Sequence, residues 1–543
     1  MLDLPKKWYR ECIEHHLLCA APDPAFRPTR LIEILDQSSV RLIISKSEGV
    51  KDTYVAFSHC WGKAKTLKLL ESNLSELQSG ISDSELPTSY KEALVVCRSM
   101  GFRYIWIDSL CIIQDSSEDW QQEALTMKDV YQNSTLNLCA SAAAENSQAS
   151  FASRDLSLIC PLKVTPSWID AKERSESWYI SLFDMYAEEV ENSPLISRAW
   201  VVQEHYLSHR SLHMTKSQLW WGCRQHLACE SFPGGFPKAS LRPLTSEAMA
   251  DAKEQETTNK EDQRQTDARW YKLVEDYARC GLTVSTDKLI AFAGIAQTFT
   301  RVFREDQYVA GMWRSQLPLA LCWYPDDYTQ TYRPRTYIAP SWSWASVKGE
   351  INFPLIHNQV CYDGDIEEMK TPIEIHCEVS DVRINLKDAR YTTGQVTSGQ
   401  LDLQAHIIGP VTWSRDEEGS VIITIKPNWS LVLSLEHGGE VNFDETSRDG
   451  TSRMAWLDGS TTDEHPENES KTTGPEPASF LVPIASFDAN ICDPQHSPAT
   501  YGIVICRVEG SSGVRHYRVG SFGHLVLPPG MLDAFPHQNI TIV

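Results

Sequence analysis

Six side chains able to act as acids, bases or ligand contacts fall at the ends of two short apolar runs and on the segment after them. Val55-Ala56-Phe57 runs into Ser58, His59 and Cys60, and Ile105-Trp106-Ile107 runs into Asp108 and Ser109. Glu123 follows, inside a stretch whose Ala124, Met127, Val130 and Tyr131 form an apolar helical stripe. A carboxylate at the margin of that stripe, close to the Asp108 tip, is expected to have a raised pKa and to serve as acid or base. The plain alternative is a solvated Glu near a helix N-terminus, favoured by the dipole. Ser58, His59, Asp108 and Glu123 are therefore the candidate catalytic residues. Trp61, Gly62, Ser109 and Arg154 are the candidates for holding a ligand, Trp61 or Trp106 by stacking on a flat ring, with Trp106 between two Ile read rather as core, and Arg154 by forked contact with a phosphate. Cys60 or Cys111, with His59 and Asp108, also supplies the residue types of a thiol nucleophile, its base and its orienter. His59 and Cys60 are adjacent, however, and in a strand they point to opposite faces. A direct pair needs a turn, which Gly62 would permit.

These residues need a sheet to hold them. Both runs are short, apolar, and β-branched or aromatic, the pattern of buried strands in a parallel sheet. Between them, Thr88 to Met100 carries Tyr90, Ala93, Leu94 and Cys97 at helical spacing after a Pro87-Thr88 start. Strand, helix, strand makes a βαβ unit with a right-handed crossover. Both polar tips then share the carboxyl edge, where open α/β sheets bind ligands. Leu31 to Leu35 and Val40 to Ile44 predict two strands before this core. Arg198, Trp200, Gln203 and Glu204 form a second constellation on a helix face, read as an anchor with buried ion pairs; Arg198 is also a candidate phosphate contact.

Composition bounds the rest. At 543 residues the chain is expected to form two or three domains. Its net charge of −22 and lack of a Lys/Arg cluster argue against a nucleic-acid surface. No apolar run is long enough to span a membrane, and no secretory leader is evident, so a cytoplasmic location is expected. The 15 cysteines include no Cys-x-x-Cys and are read as reduced, mostly buried thiols. Cys223, His226 and Cys229 cluster, but no fourth ligand follows at a standard spacing, so no metal is expected there.

Along the chain, the pattern predicts a segment over 1–53 packing on the core and an α/β core with its extension over 54–237. A charged linker over 238–268, a helical continuation over 269–350 and a β-rich domain over 351–543 follow. Helices are predicted over Trp178 to Val190, Trp270 to Arg279, Asp287 to Phe303 and Val309 to Trp323, and strands over Leu212 to Cys223. Trp342 and Trp344 would share one face of a strand. Short alternating runs from Ile373 onward suggest a sandwich or barrel. Residues 459–477, rich in Ser, Thr, Glu and Pro, are expected to be disordered.

The blocks Tyr54 to Gly62, Arg103 to Asp115, Asp119 to Tyr131 and Phe151 to Arg154 occur in the order found in fungal HET (heterokaryon incompatibility) domain proteins, which this chain resembles. Ser197 to Glu204, Trp220 to Cys223 and Ala339 to Ala345 extend the resemblance. His59 departs from it, since the family has Tyr there, and His205 replaces the usual Arg or Lys. The resemblance implies an effector of non-self recognition that triggers growth arrest or programmed cell death, acting with an incompatibility partner protein or by self-association. The HET domain is likened to the TIR (Toll/interleukin-receptor) fold, whose enzymes cleave the nicotinamide glycosidic bond of NAD with a Glu on a helix after a core strand. Glu123 is the position similar to that Glu. The implied fold class is thus α+β/α/β, a TIR-like parallel α/β core with a helical extension and a β-rich C-terminal domain. NAD would be the substrate of a glycohydrolase-like hydrolase, with no cofactor required. One carboxylate suffices in principle, by stabilising an oxocarbenium-like transition state. The chain lacks a phosphate-binding P-loop and internal repeats, which keeps a second reading open: a stand-alone enzyme on a small metabolite in a fungal biosynthetic pathway.

Overall fold

The computed structural model describes residues 2–19, 21–35, 38–63, 66–151, 159–164, 178–180, 185–236, 260–303, 306–326, 331–357, 373–415, 421–425, 429–433, 440–443, 478–487, 499–510, 513–525, 527 and 530–543. Arg154, residues 238–259 of the expected linker and the 459–477 stretch lie outside them. The chain divides into two compact units, Met1–Glu256 and Thr257–Val543.

The first unit runs α1 (Asp3–His15), β1 (Arg30–Ile34), β2 (Ser39–Ile44), β3 (Tyr54–Ser58), α2 (Leu74–Ser79), β4 (Ile81–Ser82), α3 (Thr88–Met100), β5 (Tyr104–Trp106), α4 (Asp108–Cys111), α5 (Ser117–Gln132) and β6 (Leu136–Cys139). It continues with β7 (Leu162–Val164), β8 (Trp178–Ile180), α6 (Ala199–Leu207), β9 (Arg210–Met214), β10 (Leu219–Cys223) and β11 (Leu227–Cys229). Nine strands form one sheet in the order β11-β10-β9-β6-β3-β5-β1-β2-β4. β3 is parallel to β5 and to β6, and β6 is parallel to β9, so the expected strand-helix-strand unit is present. The sheet is mixed rather than wholly parallel, because β1 joins β5 and β10 joins β9 antiparallel. Antiparallel neighbours need only short turns, as in the hairpins β1–β2, β9–β10 and β10–β11, whereas β1 meets β5 and β2 meets β4 from distant parts of the chain.

Local sequence explains the two helices that frame the strand tips. α3 ends on Gly101, whose φ of 82° provides the left-handed exit that closes many helices. α5 begins at Ser116, whose hydroxyl accepts from the Asp119 N–H, with Glu118 and Asp119 favourably placed in the first turn. Val55, Ala56, Phe57, Ile105, Trp106, Leu136, Leu138 and Leu212 are all completely buried, which accounts for the unbroken apolar runs. The helix expected over Trp178 to Val190 is instead the strand β8 and a separate wide helical turn at Ala187–Glu191.

In the second unit a helix spans Lys260–Ala278, starting within the stretch read as a linker, and another spans Ile290–Phe299. The helix expected over Val309 to Trp323 does not form. Tyr308–Val309 and Met312–Trp313 pair as a hairpin across Ala310 and Gly311, both at positive φ, as a two-residue turn requires. Its apolar residues pack on Trp270, so helical spacing there reflected burial and not a helix. Trp342 and Trp344 are fully buried, but Trp344 opens a short 3-10 turn, with its indole N–H bound to Gly311 O, and is not in a strand. The C-terminal part is a sheet of eleven strands, almost wholly antiparallel, confirming a β-rich region.

Candidate functional site

β3 lies between β5 and β6 in the sheet, although the chain visits them in the order β3, β5, β6. The chain leaves β3 to one side and crosses back to the other. Such reversals open a crevice outside the carboxyl ends of the strands. Ser58 closes β3, Asp108 and Ser109 follow β5, and Cys139 closes β6, so the candidate residues gather at this reversal.

Two polar threads leave the end of β3 in opposite directions, as the alternation of a strand demands. Ser58 Oγ lies 2.5 Å from Glu204 Oε2 on α6 and 3.1 Å from Asn137 Oδ1 on β6. A hydroxyl has one proton to give. Asn137 Nδ2 has no partner among the described residues, so an amide turned over would donate to Ser58 while Ser58 donates to Glu204. Burial pushes the Glu204 carboxyl up to about 7, against the opposing pull of Arg198 and the Ser58 hydrogen bond. Arg198 also donates to the carbonyl of His59, which pins the loop after β3.

The other thread runs through His59. Its Nε2 lies 2.8 Å from Tyr90 Oη on α3, and Tyr90 Oη lies 2.7 Å from Ser109 Oγ. Asp108 Oδ1 lies 3.6 Å from the same His59 nitrogen and accepts the Ser109 N–H. Burial lowers the His59 pKa, with Asp108 acting against it, so the ring is held neutral. Its ring stacks on Phe57 and meets Tyr90 edge-on. The thread reaches solvent at Trp61, whose indole N–H donates to Asp108 Oδ2 at 2.7 Å. Trp61 is half-buried and carries the Lys68 ammonium 4.6 Å from its ring centre. Gly62 makes the expected turn at a φ of 71°, and a Cβ there would lie 2.1 Å from Glu145 Cβ.

Ser58, His59, Trp61, Gly62, Asp108 and Ser109 thus come together. Glu123 is bound elsewhere: it is buried, 3.9 Å from Arg30 Nη1 and hydrogen-bonded to Thr29, the residue before β1. Its pKa is raised by burial, against those two partners. It is therefore not the solvated helix-end Glu of the plain alternative. Arg30 meanwhile grips Asp119 with both guanidinium nitrogens. Cys60 faces Pro194 O and packs with Cys139, Leu195 and Val201, away from His59, and burial raises its thiol. Cys111 is pushed up to about 12, so neither thiol is an activated nucleophile. Trp106 is core, edge-on to Tyr131. Tyr90 and Glu204 are site residues whose roles the sequence did not reveal. The apolar face of α3 and the Gln203-Glu204 pair marked their positions without their partners. A cleft of about 430 Å³ lined by Asp306, Arg314 and Glu378 lies in the second unit and includes none of the candidates.

A mixed α/β sheet with a buried polar cluster at its point of strand reversal defines the class of this unit. Residues 54–204 match the family model described as heterokaryon incompatibility protein (HET). No curated protein and no solved structure matches the chain. The match supports a heterokaryon-incompatibility-type function at the level of the family. No helix among the described residues is long and apolar enough to cross a membrane.

Proposed function

We propose that the protein is an effector of fungal non-self recognition that arrests growth or kills the cell, and that the crevice at the end of β3 is where it acts. One observation carries this reading. The first strand of the HET segment and its last residue are tied by the Ser58–Glu204 hydrogen bond, so the whole segment closes on this cluster. The chemistry we propose is cleavage of the nicotinamide glycosidic bond of NAD. Asp108, one fifth exposed at its side chain, would stabilise the developing positive charge on the ribose. Trp61 would stack on a ring of the dinucleotide. Glu204, titrating near neutrality, is suited to hold or release a proton through Ser58. Glu123, the position similar to the TIR glutamate, would act through its link to Arg30, which also donates to the Cys111 carbonyl at the end of α4.

The test is induction of wild type, Asp108→Asn, Glu204→Gln and Glu123→Gln in a fungal host, with growth and cellular NAD followed together. Wild type should arrest growth and deplete NAD, and folded Asp108→Asn should lose at least about 100-fold of the NAD turnover. Arrest with NAD intact would remove glycosidic cleavage and leave an effector working through partners. Growth unaffected by wild type would overturn the effector reading itself.

A further inference from the structure

Four metal-binding side chains meet on the first unit at a place the crevice does not reach. Cys12, His16, Cys19 and Cys223 bring one ligand atom each to within 4.8 Å of one another. We propose that they form a Cys3His site for a single zinc-class divalent cation, which fastens α1 to the outer part of the sheet. The set is assembled from two segments far apart in sequence. Cys12 lies in the last turn of α1 and His16 one turn further on, so both face the same side. Cys19 follows in the next turn, its N–H bonded to the His16 carbonyl. Cys223 is the last residue of β10.

The geometry suits a closed tetrahedral site. Zn–S bonds of about 2.3 Å and Zn–N bonds of about 2.0 Å place tetrahedral ligand atoms roughly 3.5–3.8 Å apart. His16 Nδ1 already lies 3.2 Å from Cys223 Sγ. Cys12 is 0% exposed, Cys19 7% and Cys223 8%, and His16 is half-buried, so little of the site opens to a substrate, as befits a structural metal. Binding would displace a proton from each of the three thiols, and a divalent ion with three thiolates and a neutral imidazole carries one net negative charge. Two buried cations stand ready for it. Arg210 Nε donates to Cys12 Sγ at 3.2 Å and its Nη2 to the Cys19 carbonyl at 3.0 Å. Arg224 lies within electrostatic reach of Cys19 and Cys223. Such outer-shell donors orient and stabilise thiolate ligands. His226, beside His16 with ring centres 5.8 Å apart, is a neighbour outside the set. Cys229 is directed into an apolar cluster with Trp220 and Phe236.

The experiment uses full-length protein purified reduced and without chelator. Elemental analysis should find one equivalent of zinc per chain, and metal-stripped wild type should take up cobalt(II) with the intense visible bands of tetrahedral thiolate coordination. Cys19→Ser and Cys223→Ser should lose the bound zinc, whereas His16→Cys and His226→Ala should keep it. Chelation should lower the unfolding midpoint of wild type but not of Cys223→Ser. Folded, reduced wild type that holds no zinc and gives no cobalt–thiolate bands would overturn the proposal. Zinc retained in both serine variants would do the same, by placing the metal elsewhere.

Discussion

Glu204 carries its proton in the folded protein at pH values where the unfolded chain has lost it, because burial lifts its pKa from 4.5 to about 7. The resulting stabilisation is complete below about pH 4.5 and is lost as the pH rises through about 7, a change on the order of 3 kcal/mol. Glu204→Gln has no such proton. Relative to that variant, wild type should lose stability by roughly this amount between about pH 4.5 and pH 8, read by urea denaturation. The subtraction removes His59, whose lowered pKa acts with the opposite sign and is common to both proteins. A difference that stays flat with pH would show that the Glu204 carboxyl titrates normally. At this scale the sequence was legible where residues are neighbours: Ser58 with His59, Asp108 with Ser109, and the turn at Gly62. It was silent on Ser58 with Glu204, which are 146 positions apart. No local pattern reports which helix face will meet which strand end.

Elements with a clear start or stripe were readable. α3 starts where Pro87-Thr88 predicts, α5 carries the stripe of Ala124, Met127, Val130 and Tyr131, and β1, β2, β3 and β5 coincide with apolar runs. The failure over Val309 to Trp323 has a physical origin. From Val309 to Trp323 the apolar spacing is that of a helix, but burial on all sides removes the link between spacing and conformation. The hairpin there turns through Gly311, whose φ of 97° is hostile to other residues, and a Cβ would approach Trp344 Nε1 to 2.6 Å. Gly311→Ala should therefore destabilise the protein by about 2–4 kcal/mol, combining backbone strain with displacement of Trp344. Chemical denaturation followed by tryptophan emission would measure it, and a loss below about 0.5 kcal/mol would refute the account.

At the scale of the molecule, the HET segment is not a closed fold. β5 receives β1 from before the segment, and β6 receives β9 from after it. Expressed alone, residues 54–204 would expose both sheet edges as unpaired backbone, a template for aggregation. We expect that fragment to aggregate, and residues 1–256, a compact unit, to remain soluble and cooperatively folded. Size-exclusion chromatography and hydrogen exchange of the two fragments would decide. A monomeric, protected 54–204 fragment would mean that the flanking strands are dispensable.

The seat of α1 has a consequence for synthesis on the ribosome. Trp8 donates to the Pro233 carbonyl and lies against Trp221, so the seating of α1 depends on residues made more than 200 positions later. At typical translation rates of about 5–20 residues per second, that interval is on the order of tens of seconds. Throughout it the buried face of α1 has no lodging, and Trp8 and Cys12 are open to chaperones and to wrong partners. In the nascent chain α1 therefore stays unseated until β10 and the turn at Pro233 have left the exit tunnel.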